Sequence, residues 1–197
     1  MRTVFLIIWL ALLPVGLMYH LVERDSHQRM DQVGDYLAEA RRLRGSEEWG
    51  PAVAAYEKAL ELLPAEPLGN RQELRLEMAQ AKMNASRLPE AHEELKGLLD
   101  ELLEQETRDQ NLENRIRESM AHSQFFMTWL MRLEGLPRES WEPEIESARQ
   151  NFHLLAQRAE QTGSTEAALT QKQNLQKAIQ LARLDPGELL GLPIPSQ

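Results

Sequence analysis

The sequence lacks cysteine. Its absence excludes disulfide bonds, thiolate zinc sites, cysteine nucleophiles and acylated cysteine anchors. Glycine and proline are sparse, with 10 of each among 197 residues, and they fall between apolar-periodic segments, where helices end. No segment alternates β-branched with polar residues over the length of a strand, so we expect no strands.

Positive charge is also scarce. The chain has 22 basic and 31 acidic residues, which give a net charge of −9. An acidic chain repels phosphate backbones, and the densest basic cluster is only Arg41, Arg42 and Arg44. We therefore expect no nucleic-acid partner. The hydrophobic content of 42% is ample for a folded core.

Motifs that carry chemistry are missing as well. The histidines have no metal-ligand spacing; they are His20, His27, His92, His122 and His153. We expect His92 on a solvated helix face, whereas His122 and His153 could meet if their helices pack together. Ser123 lacks a nucleophile-elbow context, and no glycine-rich phosphate loop is present. The sequence therefore predicts no enzymatic activity, no cofactor and no metal.

One long apolar run lies at the N-terminus. Residues 4–22 contain no Asp, Glu, Lys or Arg, and a helix of that length spans roughly 28 Å, close to the ~30 Å hydrocarbon core of a bilayer. We predict that residues 1–24 form an uncleaved signal anchor in the cell membrane. It would be single-pass, with the N-terminus inside and the following domain outside the cytoplasm. The alternative is a cleaved signal peptide, with its nearest small-residue site at residues 14–16.

The rest of the chain predicts an all-α domain over residues 28–184. Short connectors between successive helices favour antiparallel neighbours. We expect about seven helices, at residues 28–44, 51–63, 69–85, 89–106, 110–134, 142–162 and 165–184.

Two segments repeat a helical-hairpin pattern. In EEWGPAVAAYEKALELLP, small residues at Ala52 and Ala59 flank the large Tyr56, and Pro64 ends the helix. The small residues let paired helices approach, and the large residue fills the space between them. A second copy begins its helix B 39 residues later, at Ala91. The further matching positions are Tyr36, Ala40 and Trp49 in the first copy and Met78, Ala79, Leu88, Leu95 and Leu98 in the second.

This pattern resembles the tetratricopeptide repeat (TPR) family. A third, degenerate copy gives Ala148, Phe152 and Leu155 with the same spacing. The resemblance implies a solenoid of helical hairpins whose groove is lined by residues of each helix A. Carried over to this sequence, the groove residues are Leu37, Arg41, Arg44, Glu73, Leu76, Gln80 and Met83. They do not form the family's carboxylate-clamp set, so a chaperone C-terminus is not expected as the ligand.

An aromatic and methionine-rich stretch occupies residues 125–133, FFMTWLMRL. It is too short to span a bilayer. Its apolar side chains cover most of a helix circumference, so two interpretations stand. Either this is a central helix that is buried between its neighbours, or Phe125, Trp129 and Met131 are exposed for a protein partner.

The tail at residues 185–197 is apolar and proline-rich, and we expect it to leave the helical state and cover its own domain or meet a partner. Together these features predict a non-catalytic, membrane-tethered TPR-like scaffold for protein partners at the bacterial cell envelope. The alternatives are a secreted or periplasmic helical binding domain, an accessory subunit of an enzyme complex, and a small-ligand binder.

Overall fold

The computed structural model describes residues 28–64 and 68–191, and in these ranges the fold is all-α, without a strand. The helices are α1 (residues 28–45), α2 (Trp49–Leu62), α3 (Leu68–Asn84), α4 (Leu88–Leu103), α5 (Gln110–Leu133), α6 (Arg138–Gln161), α7 (Thr165–Arg183) and α8 (Pro186–Leu190). All seven expected helices are present.

Two expectations about helix ends are wrong. α6 begins at Arg138 rather than at residue 142, so Pro143 lies inside the helix instead of in its first turn. The expected end of helical structure at Asp185 is also wrong, because Asp185 caps the short helix α8. Its side chain accepts from the backbone of Glu188, and the Glu188 side chain reaches back to the Asp185 backbone N–H, which is a capping box.

None of the helices within residues 28–64 and 68–191 is both long enough and apolar enough to cross a membrane. The predicted anchor at residues 4–22 lies outside the described residues.

The chain divides into two compact units, and the boundary in the sequence falls between Arg71 and Gln72. In the first unit, Lys58 of α2 lies 5.5 Å from the centre of the Tyr36 ring of α1. Arg71 donates hydrogen bonds to the carbonyl oxygens of Leu60 and Leu63, each at 3.2 Å, and so satisfies the exposed end of α2. The core side chains are Val33, Ala40, Leu43, Ala52, Val53, Ala55, Tyr56 and Ala59.

In the second unit, α5 is the central helix. It packs against α4, α6 and α8, and α6 packs against α7. One buried cluster joins α5 to α3 and α4; it contains Leu76, Ala79, Met83, Leu88, Ala91, Leu95, Leu98, Leu99, Leu102, Leu112, Ile116, Met120 and Phe126. A second cluster joins α5 to α6, α7 and α8; it contains Ala121, Trp129, Trp141, Ile145, Ala148, Phe152, Ala178, Leu181 and Leu189.

The turn between α1 and α2 recurs between α3 and α4. Glu47 and Ser86 both have φ of +60°, and they are 39 residues apart, the same offset as Ala52 and Ala91. In each turn the next residue donates its backbone N–H to the carbonyl oxygen five residues earlier. Glu48 donates to Leu43 at 2.9 Å, and Arg87 donates to Lys82 at 3.0 Å. This is the bond that closes a helix C-terminus around a left-handed residue.

Glycine takes the left-handed position in the two later turns. Gly135 has φ of +72° and Gly163 has φ of +74°, which glycine adopts without strain. Ser164 is the N-cap residue of α7, although its side chain makes no capping bond there. These four connections therefore share one turn type, with glycine at the left-handed position only in the two later ones.

Candidate functional site

The aromatic stretch is mainly core. Trp129 and Phe126 are each 7% exposed, and Phe125, Met127, Met131 and Leu133 are half-buried against the two clusters. Leu130 is the exception, with 42% of its surface exposed. α5 thus has neighbours on several sides, as a central helix would, whereas partner binding by Phe125, Trp129 and Met131 stays a prediction.

The candidate groove residues in the first unit are at least partly accessible. Arg41 is exposed, and Leu37 and Arg44 are half-buried. Their role in partner binding remains a prediction.

The candidate groove residues of α3 face the chain's own helices. Leu76 is fully buried and Met83 nearly so, in the cluster shared with α4 and α5. Gln80 donates to Ser119 Oγ of α5 at 3.0 Å, and Glu73 pairs with Arg115 of α5 at 2.6 Å. In this arrangement Leu76 and Met83 have no free surface to offer, so they are core side chains here.

His92 does not lie on a solvated face, so that expectation is wrong. It is buried, with Nδ1 3.1 Å from Ser123 Oγ of α5 and Nε2 3.8 Å from Glu144 Oε2 of α6. Ser123 donates its own proton to the carbonyl oxygen of Met120 at 2.8 Å. The hydroxyl therefore accepts from His92 Nδ1.

A serine, a histidine and a carboxylate are the groups of a hydrolytic triad, but this array cannot act as one. Ser123 is fully buried, and its proton is held by a backbone carbonyl, so no substrate carbonyl can approach Oγ. The hydrogen bond between His92 and Ser123 instead joins α4 to α5. The sequence signal was the position of His92 three residues before Leu95 and seven before Leu99, on the apolar stripe of α4.

A buried carboxylate joins α5 to α6. Glu113 Oε1 accepts from Arg117 Nε at 2.7 Å and from Arg158 Nη2 at 3.0 Å. Gln110 donates to the other carboxylate oxygen at 3.3 Å. Burial alone would raise the pKa of Glu113, but the hydrogen bonds from both arginines outweigh it and hold the pKa below the ordinary value. Arg158 also donates to Asn114 at 2.6 Å.

A buried cation joins α5 to the end of α7. Arg132 donates from Nη1 to the carbonyl oxygen of Leu181 and from Nη2 to that of Leu184. These carbonyls belong to the last turn of α7, where no intrahelical donor remains. The guanidinium also lies 4.7 Å from the ring centre of Trp141. Burial lowers the pKa of Arg132, and the negative charge of Asp185 offsets only part of that effect.

His122 packs edge-on against Phe152, with 5.3 Å between ring centres, while His153 is exposed. Burial lowers the pKa of His122; Glu118 opposes this shift and Lys177 adds to it. Glu118 also accepts from Gln171 Nε2 of α7 at 2.6 Å. An open depression of about 580 Å³ lies beside this pair and the first turn of α7.

Across residues 28–64 and 68–191, no group of three or more His, Asp or Glu side chains is placed to hold a metal ion. The buried polar side chains described above form contacts between helices. We call the contacts of His92 the His92 array, those of Glu113 the Glu113 network and those of Arg132 the Arg132 cap. Comparison of the chain with models of protein families, with curated proteins and with solved structures finds no significant match.

Proposed function

We propose that this chain is a non-catalytic, TPR-like scaffold that binds protein partners at the bacterial cell envelope and is held at the membrane by residues 4–22. The observation that carries the proposal is the hairpin turn repeated with a 39-residue offset. The packing positions of the two hairpins repeat at the same offset and are all fully buried; the pairs are Ala40 and Ala79, Ala52 and Ala91, Tyr56 and Leu95, and Ala59 and Leu98.

A repeat of this kind supports a binding role for a physical reason. In repeat proteins of this kind each hairpin buries one face, and stacked hairpins present an extended surface on which a partner can lie. In this chain the accessible candidate positions are those of α1: Leu37, Arg41 and Arg44. At this offset the two hairpins agree in backbone conformation, hydrogen bonding and burial, and this agreement supports the proposal.

The state of the polar groups favours binding over catalysis. His92 of α4 is hydrogen-bonded to Ser123 of α5, Glu113 of α5 accepts from Arg158 of α6, and Ser123 is fully enclosed. Such networks fix the relative positions of helices and so keep a binding surface rigid.

The tether is supported by composition. Residues 4–22 have the length and the lack of charge of a membrane-spanning helix. An anchored scaffold raises the local concentration of its partner at the membrane surface. The anchor is tested by sequencing the N-terminus of the mature chain and by extracting membranes at high pH. Retention of Met1 and of the chain in the pellet is expected, whereas a new N-terminus after residue 16 would replace the anchor with a cleaved leader.

The scaffold role is tested by crosslinking in native membranes. Two surface variants are compared with the wild-type chain: Arg41→Glu combined with Arg44→Glu, and Leu130→Asp. Leu169→Asp is the matched control, because Leu169 of α7 is 56% exposed. A specific crosslinked protein that is lost with either test variant but kept with the control supports the proposal, provided that circular dichroism shows unchanged melting. The absence of any specific crosslink from the wild-type chain would refute it.

A further inference from the structure

Helix α8 occupies a cleft on the second unit. α8 packs against α5, and Leu189 is 1% exposed within the cluster that contains Trp129 of α5 and Trp141 of α6. Leu133 packs against the same cluster. We call this surface the Leu189 cleft; it comprises Trp129, Leu133 and Trp141, with the guanidinium of Arg132 beside it.

The resident helix shows which chemistry the cleft accepts. Asp185 is the N-cap of α8, and its charge acts on Arg132. Leu189, four residues later, is buried among the aromatic side chains, while the neighbouring Leu190 is 73% exposed. The cleft thus distinguishes two features of its occupant: a carboxylate at the helix N-cap and one leucine in the first turn.

The resident helix is weakly held. It has five residues, and a single helical turn is unstable in water without tertiary contacts. Leu189 is the only buried side chain among residues 187–190. Elements with so few buried contacts open at a small fraction of the global free energy of unfolding.

The cleft also contains an unsatisfied donor. Trp129 Nε1 is buried and has no hydrogen-bond partner within the described part of the chain. A buried donor without a partner is costly, and α8 does not relieve that cost. An occupant that placed a backbone carbonyl near this indole would bind more favourably than α8 does.

We propose that the Leu189 cleft is a peptide-binding site that α8 fills in cis, and that its partner in trans is a protein segment with an acidic helix N-cap and a leucine four residues later. The inference rests on the proposed protein-binding role and gives it a location and a ligand chemistry. The cis helix competes with the partner, so the site is available in proportion to the opening of α8.

The test uses the chain's own segment, residues 183–191 (RLDPGELLG), as a synthetic probe. Its binding to the full chain is followed by the indole N–H resonances of the tryptophans. The probe is titrated into the wild-type chain and into Leu189→Ala, in which α8 is undocked. The expected result is binding to Leu189→Ala with a dissociation constant at least about tenfold lower than for the wild-type chain, because loss of the buried leucine removes the competitor.

Variant probes provide the controls. A probe with Leu189→Ala is expected to lose binding, and a probe with Asp185→Ala to bind more weakly because it lacks the N-cap side chain. A probe with Leu190→Ala keeps binding, since Leu190 is exposed in α8. If Leu189→Ala fails to fold, the probes are titrated at millimolar concentration into the wild-type chain instead. Saturable shifts of the indole N–H resonances, with the same ranking of probes, would then support the proposal. No binding to either protein, or equal binding of all probes, would overturn the proposal.

A second copy of the chain is the other candidate occupant. If the wild-type chain dimerises with increasing concentration in sedimentation and Leu189→Ala does not, the occupant of the cleft is α8 of a second copy. The proposal of a segment from another protein would then be wrong. The peptide titration needs no knowledge of the natural partner. A negative result would therefore remove this cleft while leaving the scaffold role to the crosslinking experiment.

Discussion

The Glu113 network provides the sharpest quantitative test of the structure. Both arginines donate to the same oxygen, Oε1, while Gln110 donates to Oε2. In Glu113→Gln, the amide oxygen can take the place of Oε1 and keep both bonds, and Gln110 can turn its amide to meet the new NH₂ group. This variant therefore removes the charge and keeps the geometry. Glu113→Ala removes the acceptor as well.

The magnitudes follow from the strength of charge-assisted hydrogen bonds, which are roughly twice as strong as neutral ones. Each bond loses about 1 kcal/mol when the carboxylate becomes an amide, and screening reduces this because both arginines are partly exposed. We expect Glu113→Gln to lower the free energy of unfolding by about 1.5 kcal/mol and Glu113→Ala to lower it by about 3 kcal/mol. Arg117 and Arg158 keep their bonds to Asn151 and Asn114, which limits the loss.

Urea denaturation of the chain at neutral pH measures these changes. Glu142→Gln is the control, because Glu142 pairs with Arg138 on an exposed face of α6 and its loss should cost below about 0.5 kcal/mol. Since the folded pKa of Glu113 is depressed, its contribution is present above the unfolded value, near 4.5, and is lost as pH falls through the folded pKa. If Glu113→Gln and Glu142→Gln lowered the free energy of unfolding by the same small amount, the reasoning about the buried network would be wrong.

Three further predictions concern the turns, the histidines and α5. Ser86→Gly should raise the free energy of unfolding by about 0.5–1 kcal/mol in urea titrations. Glycine removes the strain of the left-handed backbone, and this gain exceeds the conformational entropy that glycine loses on folding. A clear decrease in the free energy of unfolding would contradict the assigned turn. His122→Phe should flatten the decline of stability below about pH 6.5, because the folded pKa of His122 is depressed and the unfolded chain binds the proton first. Thermal melts from pH 7.5 to 5 test this, with His153→Gln at an exposed position as the control, and an unchanged slope would remove His122 as the cause. Trp129→Ala should lower the free energy of unfolding by about 3–5 kcal/mol, whereas Leu130→Ala should lower it by less than about 1 kcal/mol. Equal losses in calorimetry would mean that this face of α5 is not core.

The sequence predicted the helices well because their signals are local. Apolar periodicity and punctuation by glycine and proline located seven helices, most ends within about three residues. The start of α6 was wrong because Pro143 is typical of a first helical turn, yet here it lies inside the helix. α8 was overlooked because Pro186 and Gly187 suggested a turn, although Asp185 and Glu188 had the spacing of a capping box.

The polar contacts between helices were not predictable in the same way. Arg158 and Glu113 lie 45 residues apart, and Arg132 lies 49 residues from the carbonyl it binds on Leu181. No local pattern in one sequence pairs such residues. Leu76 and Met83 show the effect of such long-range packing: the family resemblance implies groove positions for them, and here they are buried in a cluster with residues of α5.

The Arg132 cap also has a consequence for biosynthesis. Arg132 lies in α5, but the carbonyl oxygens that accept its hydrogen bonds belong to residues about fifty positions later in the chain, at the end of α7. The acceptors of this guanidinium are therefore synthesised after all of α5 and α6. A product truncated before residue 181 would lack both carbonyl acceptors, and it would also lack Leu181 and Leu189, which belong to the same buried cluster as Trp129 and Trp141. The packing around the two tryptophans thus depends on residues that are made well after them.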